Sequence, residues 1–325
     1  MDLAVDNTKK INIFIEGKIA RGDSFIGRKD LLSELMRLWN DSNGNISRSI
    51  VGLNRMGKSS LIDRFCEKVK KQDSKVICIQ YTFKNDTWSQ IIQFIMYKIF
   101  TEYTDQCDPY IKKICEDTLN IDLSCNKFYL NENIVDDNYK RILERMGKIG
   151  QKYLFVIDEF DAAKVCWKDK GRYFECLRDS VQKTGANFII SRRPLENIEM
   201  DSYGNSCFHN VFPEIHVCSF NKEKDMPEYY NVLENRYGIK LDEEERKDVE
   251  KYTGFCPNFL AALGGKLVSS VINDKLQLPV KEIFSDKSLK MFSNCDDISF
   301  NSSSERLDCF AITSRGLMPL FLAQL

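Results

Sequence analysis

Short apolar runs rich in β-branched and aromatic residues recur along the chain. They are ISRSIVG (46–52), KVICIQYTF (75–83), YLFVI (153–157), ANFII (186–190) and, after a proline, EIHVCSF (214–220). Each has the length of a buried strand rather than of a helix. Between most of them the apolar period lengthens. DLLSELMRLW (30–39) sets Leu31, Leu32, Leu35, Leu38 and Trp39 on one side of a helix, and SLIDRFCEKVKK and TWSQIIQFIMYKIFTEY read the same way. Strands alternating with helices predict a mainly parallel sheet covered on both faces, an α/β fold of three layers.

Other stretches depart from this rhythm. INIFI (11–15) reads as a short strand inside a leader of residues 1–24, and about 103 to 134 reads as an insertion. From 221 onward the pattern is helical throughout, in NKEKDMPEYYNVLENRYG, LDEEERKDVEKY and PNFLAALGGKLVSSVI. The expected division is a core over 25–220, a helical lid over 221–293, and a tail or the start of a truncated further region over 294–325. No internal repeat of 20 to 50 residues is visible, which argues against a solenoid.

Composition narrows the function classes. With 43% hydrophobic and 29% charged residues the chain is that of a soluble globular protein, and 325 residues allow one large domain with an appendage, or two domains. A net charge of -1 steers it globally toward neither nucleic acid nor an anionic membrane. No apolar stretch nears the ~18 residues of a membrane span. The 12 cysteines form no C-x-x-C pair and only His209 and His216 offer imidazole, so reduced thiols in a cytoplasmic protein are expected rather than zinc or disulfides.

Two stretches carry chemistry. Gly52-Leu53-Asn54-Arg55-Met56-Gly57-Lys58-Ser59 fits G-x-x-x-x-G-K-[ST], after an apolar run and before a helical one. Triphosphate oxygens need several converging donors, which consecutive N–H groups of such a loop and the following helix N-terminus supply. Gly52, Asn54, Arg55, Met56, Gly57, Lys58, Ser59 and Ser60 are the expected ATP contacts. Lys58 reaches the β- and γ-phosphates and the Ser59 hydroxyl is placed on Mg²⁺. The second stretch, YLFVIDEFDAA, ends a strand abruptly in Asp158 and Glu159. Ligands of open α/β sheets sit beyond the carboxyl ends of the strands. There Asp158 is a candidate ligand of Mg²⁺, and Glu159 a candidate acceptor for the proton of an attacking water. Asp161 reads only as a cap of the next turn.

In order along the chain, four features resemble the STAND branch of the AAA+ ATPases and the related archaeal-type and replication-initiator group. Phe25-Ile26-Gly27-Arg28 is similar to the hydrophobic-hydrophobic-Gly-Arg motif, although Lys29 stands where an acid is usual. The phosphate loop and the Asp158-Glu159 pair follow. Ser191-Arg192-Arg193 resembles a sensor position, and Gly254-Phe255-Cys256-Pro257 resembles the G-x-P motif that opens a helical lid. The likeness covers about 25 to 275. It implies an AAA+-like P-loop NTPase sheet with a C-terminal helical lid, with Ile26, Gly27, Arg28 and Pro257 near the nucleotide. It also implies that Arg192 and Arg193 act on the triphosphate or report it to a neighbour.

The expected activity is slow, regulatory hydrolysis of ATP to ADP and phosphate. As a STAND-type switch the chain would form homo-oligomers and act on a separate or missing effector. The alternative is a DNA-acting AAA+ ATPase of the replication-initiator or transposition-helper type, which the acids of KLDEEERKDVEK and of the post-lid region disfavour. Guanine specificity is not expected, because Asn221-Lys222-Glu223-Lys224 lacks the aspartate of N-K-x-D. No membrane partner is expected.

Overall fold

The structure, a computed structural model, describes residues 11–41, 46–103, 105, 107–119, 132–167, 171–184, 186–194, 211–274, 277–285, 310–313 and 316–319. The chain packs as two compact units. One takes 30–52 and 62–216 and holds the main sheet. The other gathers the described parts of 1–29, 53–61 and 217–325.

In the sheet unit, β1 (Arg48–Val51), β2 (Ile77–Thr82), β3 (Tyr153–Asp158), β4 (Phe188–Arg192) and β5 (Glu214–His216) run in the order β2-β3-β4-β1-β5. Every neighbouring pair is parallel. From β1 the chain crosses to the far edge at β2 and then returns through β3 to β4. Right-handed crossovers in opposite directions put the connecting helices on opposite faces. One face therefore carries α2 (Lys58–Gln72). The other carries α3 (Trp88–Glu102), α4 (Pro109–Leu119), α5 (Glu132–Lys148), α6 (Asp161–Cys166) and α7 (Gly171–Thr184).

Side chains agree with this layering. Ile77 and Ile79, then Tyr153, Phe155 and Ile157, then Phe188 and Ile190 alternate into one core with residues of α3, α4, α5 and α7. Cys78, between two of them, points the other way and meets the Cys66 thiol of α2. On that side α1 (Lys29–Asn40) lays Trp39 edge-on to Phe65 of α2, with ring centroids 6.4 Å apart. This is the three-layer α/β architecture with a parallel sheet expected from the pattern.

The stretch expected as an insertion supplies two helices of this unit. Ile111, Ile114 and Cys115 of α4 and Val135, Tyr139 and Ile142 of α5 are buried with α3. Residues 120–131 of that stretch lie outside the described residues.

The second unit is helical as expected: α8 (Met226–Tyr237), α9 (Glu243–Thr253), α10 (Pro257–Ser269), a π-helical turn Ser270–Asp274 and α11 (Val280–Ser285). Asp242 and Glu245 form a capping box at the start of α9, and Gly254 ends it in the left-handed conformation. Beyond α11, two antiparallel strands, β6 (Phe310–Thr313) and β7 (Gly316–Pro319), are described within the expected tail.

Residues 11–15 form no strand, which corrects the reading of INIFI. Their polar groups find side chains instead of a neighbouring strand. Tyr237 donates its hydroxyl to Ile11 O (2.8 Å) and accepts from Ile13 N (3.1 Å), while Asn12 Nδ2 donates to Gly265 O (3.0 Å). Phe14 fills a notch at Gly264, where a Cβ would come within 2.7 Å of its ring. The ring also packs edge-on to Tyr229, 5.5 Å between centroids. We refer to residues 11–20 as the strap.

Candidate nucleotide site

The phosphate loop leaves β1 at its carboxyl end. Gly52 N donates to Arg192 O (3.1 Å), which continues the β1–β4 ladder to the first residue of the loop. Met56 N then donates to Leu53 O (3.4 Å), Arg55 takes φ 65° and Gly57 φ 85°, and α2 starts at Lys58. The loop thus turns the chain directly into a helix N-terminus, whose first N–H groups point out of the helix with its positive dipole end. Lys58 Nζ donates to Leu53 O (3.0 Å), so the ammonium group is folded over its own loop.

Within the helical unit a cavity of about 310 Å³ opens beside this loop, a volume in the range of small-ligand sites. Its polar wall is Arg55, Met56, Gly57, Lys58, Ser59 and Ser60. The opposite wall is largely apolar and comes from the strap and the helices, with Phe14, Ile26, Phe220, Tyr229, Pro257 and Leu260. A ligand that is anionic at one end and flat and apolar at the other matches these walls. Asn54 is exposed on the loop and is not part of the lining.

FIGR meets the same cavity through Ile26 and Arg28. Gly27 takes φ 73°, and a Cβ there would press on Asp225 at 3.0 Å. Its N–H donates to Glu228 Oε2 (3.2 Å), and Arg28 N to Asp225 Oδ1 (2.7 Å). The Arg28 guanidinium is buried. It donates to Met56 O of the phosphate loop (3.2 Å), to Cys218 O and to Ser219 O (3.4 Å), and lies 4.9 Å from the Phe220 ring centroid. Burial pulls its pKa below the ordinary value, and Asp225 partly offsets this. Arg28 thus ties the loop to the chain segment that leads into α8.

The acidic pair stands in the sheet unit. Parallel pairing brings Val51, Asp158 and Arg192 to the same, carboxyl edge of the sheet. Ser191 Oγ donates to Asp158 Oδ1, and Glu159 N donates to the same oxygen (3.0 Å). Phe160 is buried against Phe83, Trp167 and Phe174, and its N–H donates to Ser191 O (2.9 Å). Between these two fixed residues Glu159 is left exposed, at φ 58°.

The two arginines differ. Arg192 is 4% exposed and spans three strands, donating from Nε to Ser49 Oγ (2.9 Å) on β1 and from Nη2 to Glu214 on β5. Arg193 is half-exposed; its N–H donates to Asp161 Oδ1, and its guanidinium lies 3.7 Å from Asp161 Oδ2. Asp161 is the first residue of α6, where an acid suits the helix dipole.

Backbone strain marks the motifs independently of their side chains. Five non-glycine residues among those described have positive φ: Arg28, Arg55, Asn85, Glu159 and Phe255. Four of them fall in FIGR, the phosphate loop, the acidic pair and GFCP. Asn tolerates this region; for the others it costs on the order of 1–3 kcal/mol each and persists where surrounding packing enforces it.

The structure gathers Ile26, Arg28, Arg55, Met56, Gly57, Lys58, Ser59, Ser60 and Pro257 around one cavity. Gly52, Asp158, Glu159, Arg192 and Arg193 belong to the sheet unit. Sequence reasoning missed the strap, whose Ile13, Phe14, Ile15, Lys18, Ile19 and Ala20 line the cavity, and Asn258. The available sign was an apolar run too short and too isolated to pair as a strand.

No protein-family model matches the chain, and a search of curated proteins finds no match. Among solved structures it is similar to the Aeropyrum pernix ORC2 protein in its ADPNP–ADP complexes, with a TM-score of 0.49 and 13% identity over 87% of this chain and 74% of that one. It is also similar to domain III of the Thermotoga maritima replication initiation protein DnaA, at TM-score 0.45 and 12% identity over 80% and 90%. Cdc6p from Pyrobaculum aerophilum gives TM-score 0.44 and 12% identity over 81% and 66%.

Proposed function

We propose that the chain is an AAA+-type P-loop ATPase that binds ATP in the cavity and hydrolyses it. The observation that carries this is the cavity itself. One wall is the G-x-x-x-x-G-K-S loop where it ends in a helix N-terminus, and the other is an apolar face. Lys58 would leave Leu53 O for the phosphates, exchanging a neutral acceptor for an anionic one. Mg²⁺ takes hard oxygen donors, and the Ser59 hydroxyl and the Asp158 carboxylate are each of that kind; the chemistry such an ion would supply is to neutralise charge on phosphate oxygens. Glu159 is the base candidate. Ser191, by donating to Asp158, fixes which way that carboxylate turns.

The test is calorimetric binding of ATP together with steady-state hydrolysis. Lys58→Ala should weaken ATP on the order of a hundredfold, the worth of one or two charge-assisted hydrogen bonds. Glu159→Gln should keep binding and lose turnover. ATP affinity unchanged in Lys58→Ala removes the phosphate-loop reading, and unchanged turnover in Glu159→Gln moves the base elsewhere.

Two finer readings concern what the nucleotide controls. The DNA-acting one has a surface behind it. Lys71, Lys75, Lys148 and Lys152 are exposed near the amino ends of β2 and β3, where Gln151 Nε2 donates to Lys75 O (2.7 Å) and Ile77 N to Lys152 O (3.1 Å). Such an edge suits a phosphate backbone. The STAND-type reading, an assembly switch with a separate effector, rests on the motif order alone. We therefore rank DNA-acting first.

A further inference from the structure

Two residues that line the cavity each carry a buried donor with no acceptor among the described residues. Asn258, the second residue of α10, is 7% exposed, lines the cavity, and its Nδ2 has no hydrogen-bond partner. Arg28, equally buried and lining the same cavity, leaves its Nε unpaired while both terminal nitrogens are satisfied. Buried polar groups are almost always paired, so two orphans of the same kind on one cavity ask for a ligand that brings acceptors.

The orientation of Asn258 is fixed by its other end. Gly17 N of the strap donates to Asn258 Oδ1 (3.2 Å), and only the oxygen of an amide can accept. The side chain therefore offers Nδ2 and nothing else. Around it the lining is Phe14, Ile26, Pro257 and Leu260, surfaces that suit the faces of a flat heterocycle and leave its edge to a polar group. A ring nitrogen of a base presents its acceptor lone pair at that edge, whereas triphosphate oxygens have the loop wall.

We propose that Asn258 reads the nucleobase, donating from Nδ2 to a ring nitrogen of the base while the strap holds its oxygen. This deepens, and rests on, the assignment of the cavity to a nucleoside triphosphate. Base recognition is then shared between two segments far apart in the sequence, because Gly17 sets the direction in which Asn258 donates.

Asn258→Asp isolates the donor: the carboxylate still accepts from Gly17 N but faces the base with a lone pair. ATP, inorganic tripolyphosphate and deaza-ATP analogues, each with one ring nitrogen replaced by C–H, are titrated into wild type and variant. Asn258→Asp should weaken ATP by about tenfold or more and leave tripolyphosphate within about twofold, the loss of a single buried hydrogen bond plus repulsion. One deaza analogue should bind wild type about tenfold more weakly than ATP, and the variant should lose that discrimination. The proposal is overturned if the variant weakens ATP and tripolyphosphate equally, if it binds ATP as wild type does, or if discrimination survives in it. It is also overturned if wild type binds every deaza analogue as well as ATP, an arm that needs no variant to fold. Tripolyphosphate binding that Lys58→Ala leaves intact would instead sink the underlying site assignment.

Discussion

Arg192 and Arg193 are adjacent in sequence and have little else in common. Arg192 lies inside the sheet edge, where its guanidinium joins Ser49 of β1 to Glu214 of β5 and leaves little freedom to turn toward a ligand. Removing it takes the guanidinium from Glu214, itself 28% exposed, which keeps only the weaker neighbour His216 (Nε2–Oε2 3.1 Å), and opens a cavity. Arg192→Ala should therefore cost about 2–3 kcal/mol of stability, read as a lowered urea midpoint. Among the described residues the Arg193 guanidinium pairs with Asp161, at 3.7 Å, with half its surface in solvent. Arg193→Ala should leave the midpoint within about 0.5 kcal/mol and reduce ATP turnover or nucleotide-dependent assembly. The reverse pattern, with Arg192 silent in stability, would refute this division of roles. At this scale SRR was visible in the sequence, but which arginine is structural was not. That depended on β5 bringing Glu214 within reach.

Among the elements, the strap shows how a segment without regular structure acquires a fixed place. It contributes one aromatic knob, Phe14, and takes its hydrogen bonds from Tyr237, Gly265 and Asn258. Its far end is held by Ala20 N donating to Ser60 Oγ (3.0 Å) in the first turn of α2. The notch at Gly264 is what admits the ring. Gly264→Ala would ordinarily favour a helix by up to about 1 kcal/mol. Here the new methyl meets Phe14 at 2.7 Å, and overpacking of about 1–3 kcal/mol opposes that gain. The variant should be no more stable than wild type and should bind ATP more weakly, because displaced Phe14 lines the cavity. A variant that is stabilised by the full propensity gain, with ATP affinity unchanged, would show that the strap is not seated there. INIFI was misread as a strand because its apolar alternation is real, while its partner is a helical surface instead of another strand.

For the whole molecule, the discriminating quantity is the assembly state under nucleotide. Size-exclusion chromatography with light scattering, run with ATP, ADP or neither and with or without duplex DNA, separates the two finer readings. A DNA-acting ATPase should co-elute with DNA at low salt and lose it steeply as salt rises, by a slope near -0.9 per neutralised phosphate. Lys75→Glu with Lys152→Glu should flatten that slope. Nucleotide-dependent mass without any DNA association would favour the assembly switch and remove the lysine edge from the account. The sequence by itself determined the α/β class, the positions of the five strands, the phosphate loop and the acidic strand end, because periodicity and short-range turn chemistry are local properties. Tertiary structure alone decided which face each helix covers, that the strap and α10 complete the cavity, and that Asn258 and Arg28 meet there with unpaired donors. Those facts turn on contacts between residues far apart in the sequence, such as Gly17 with Asn258, 241 positions away, and no local pattern records which distant side chain will satisfy a given N–H.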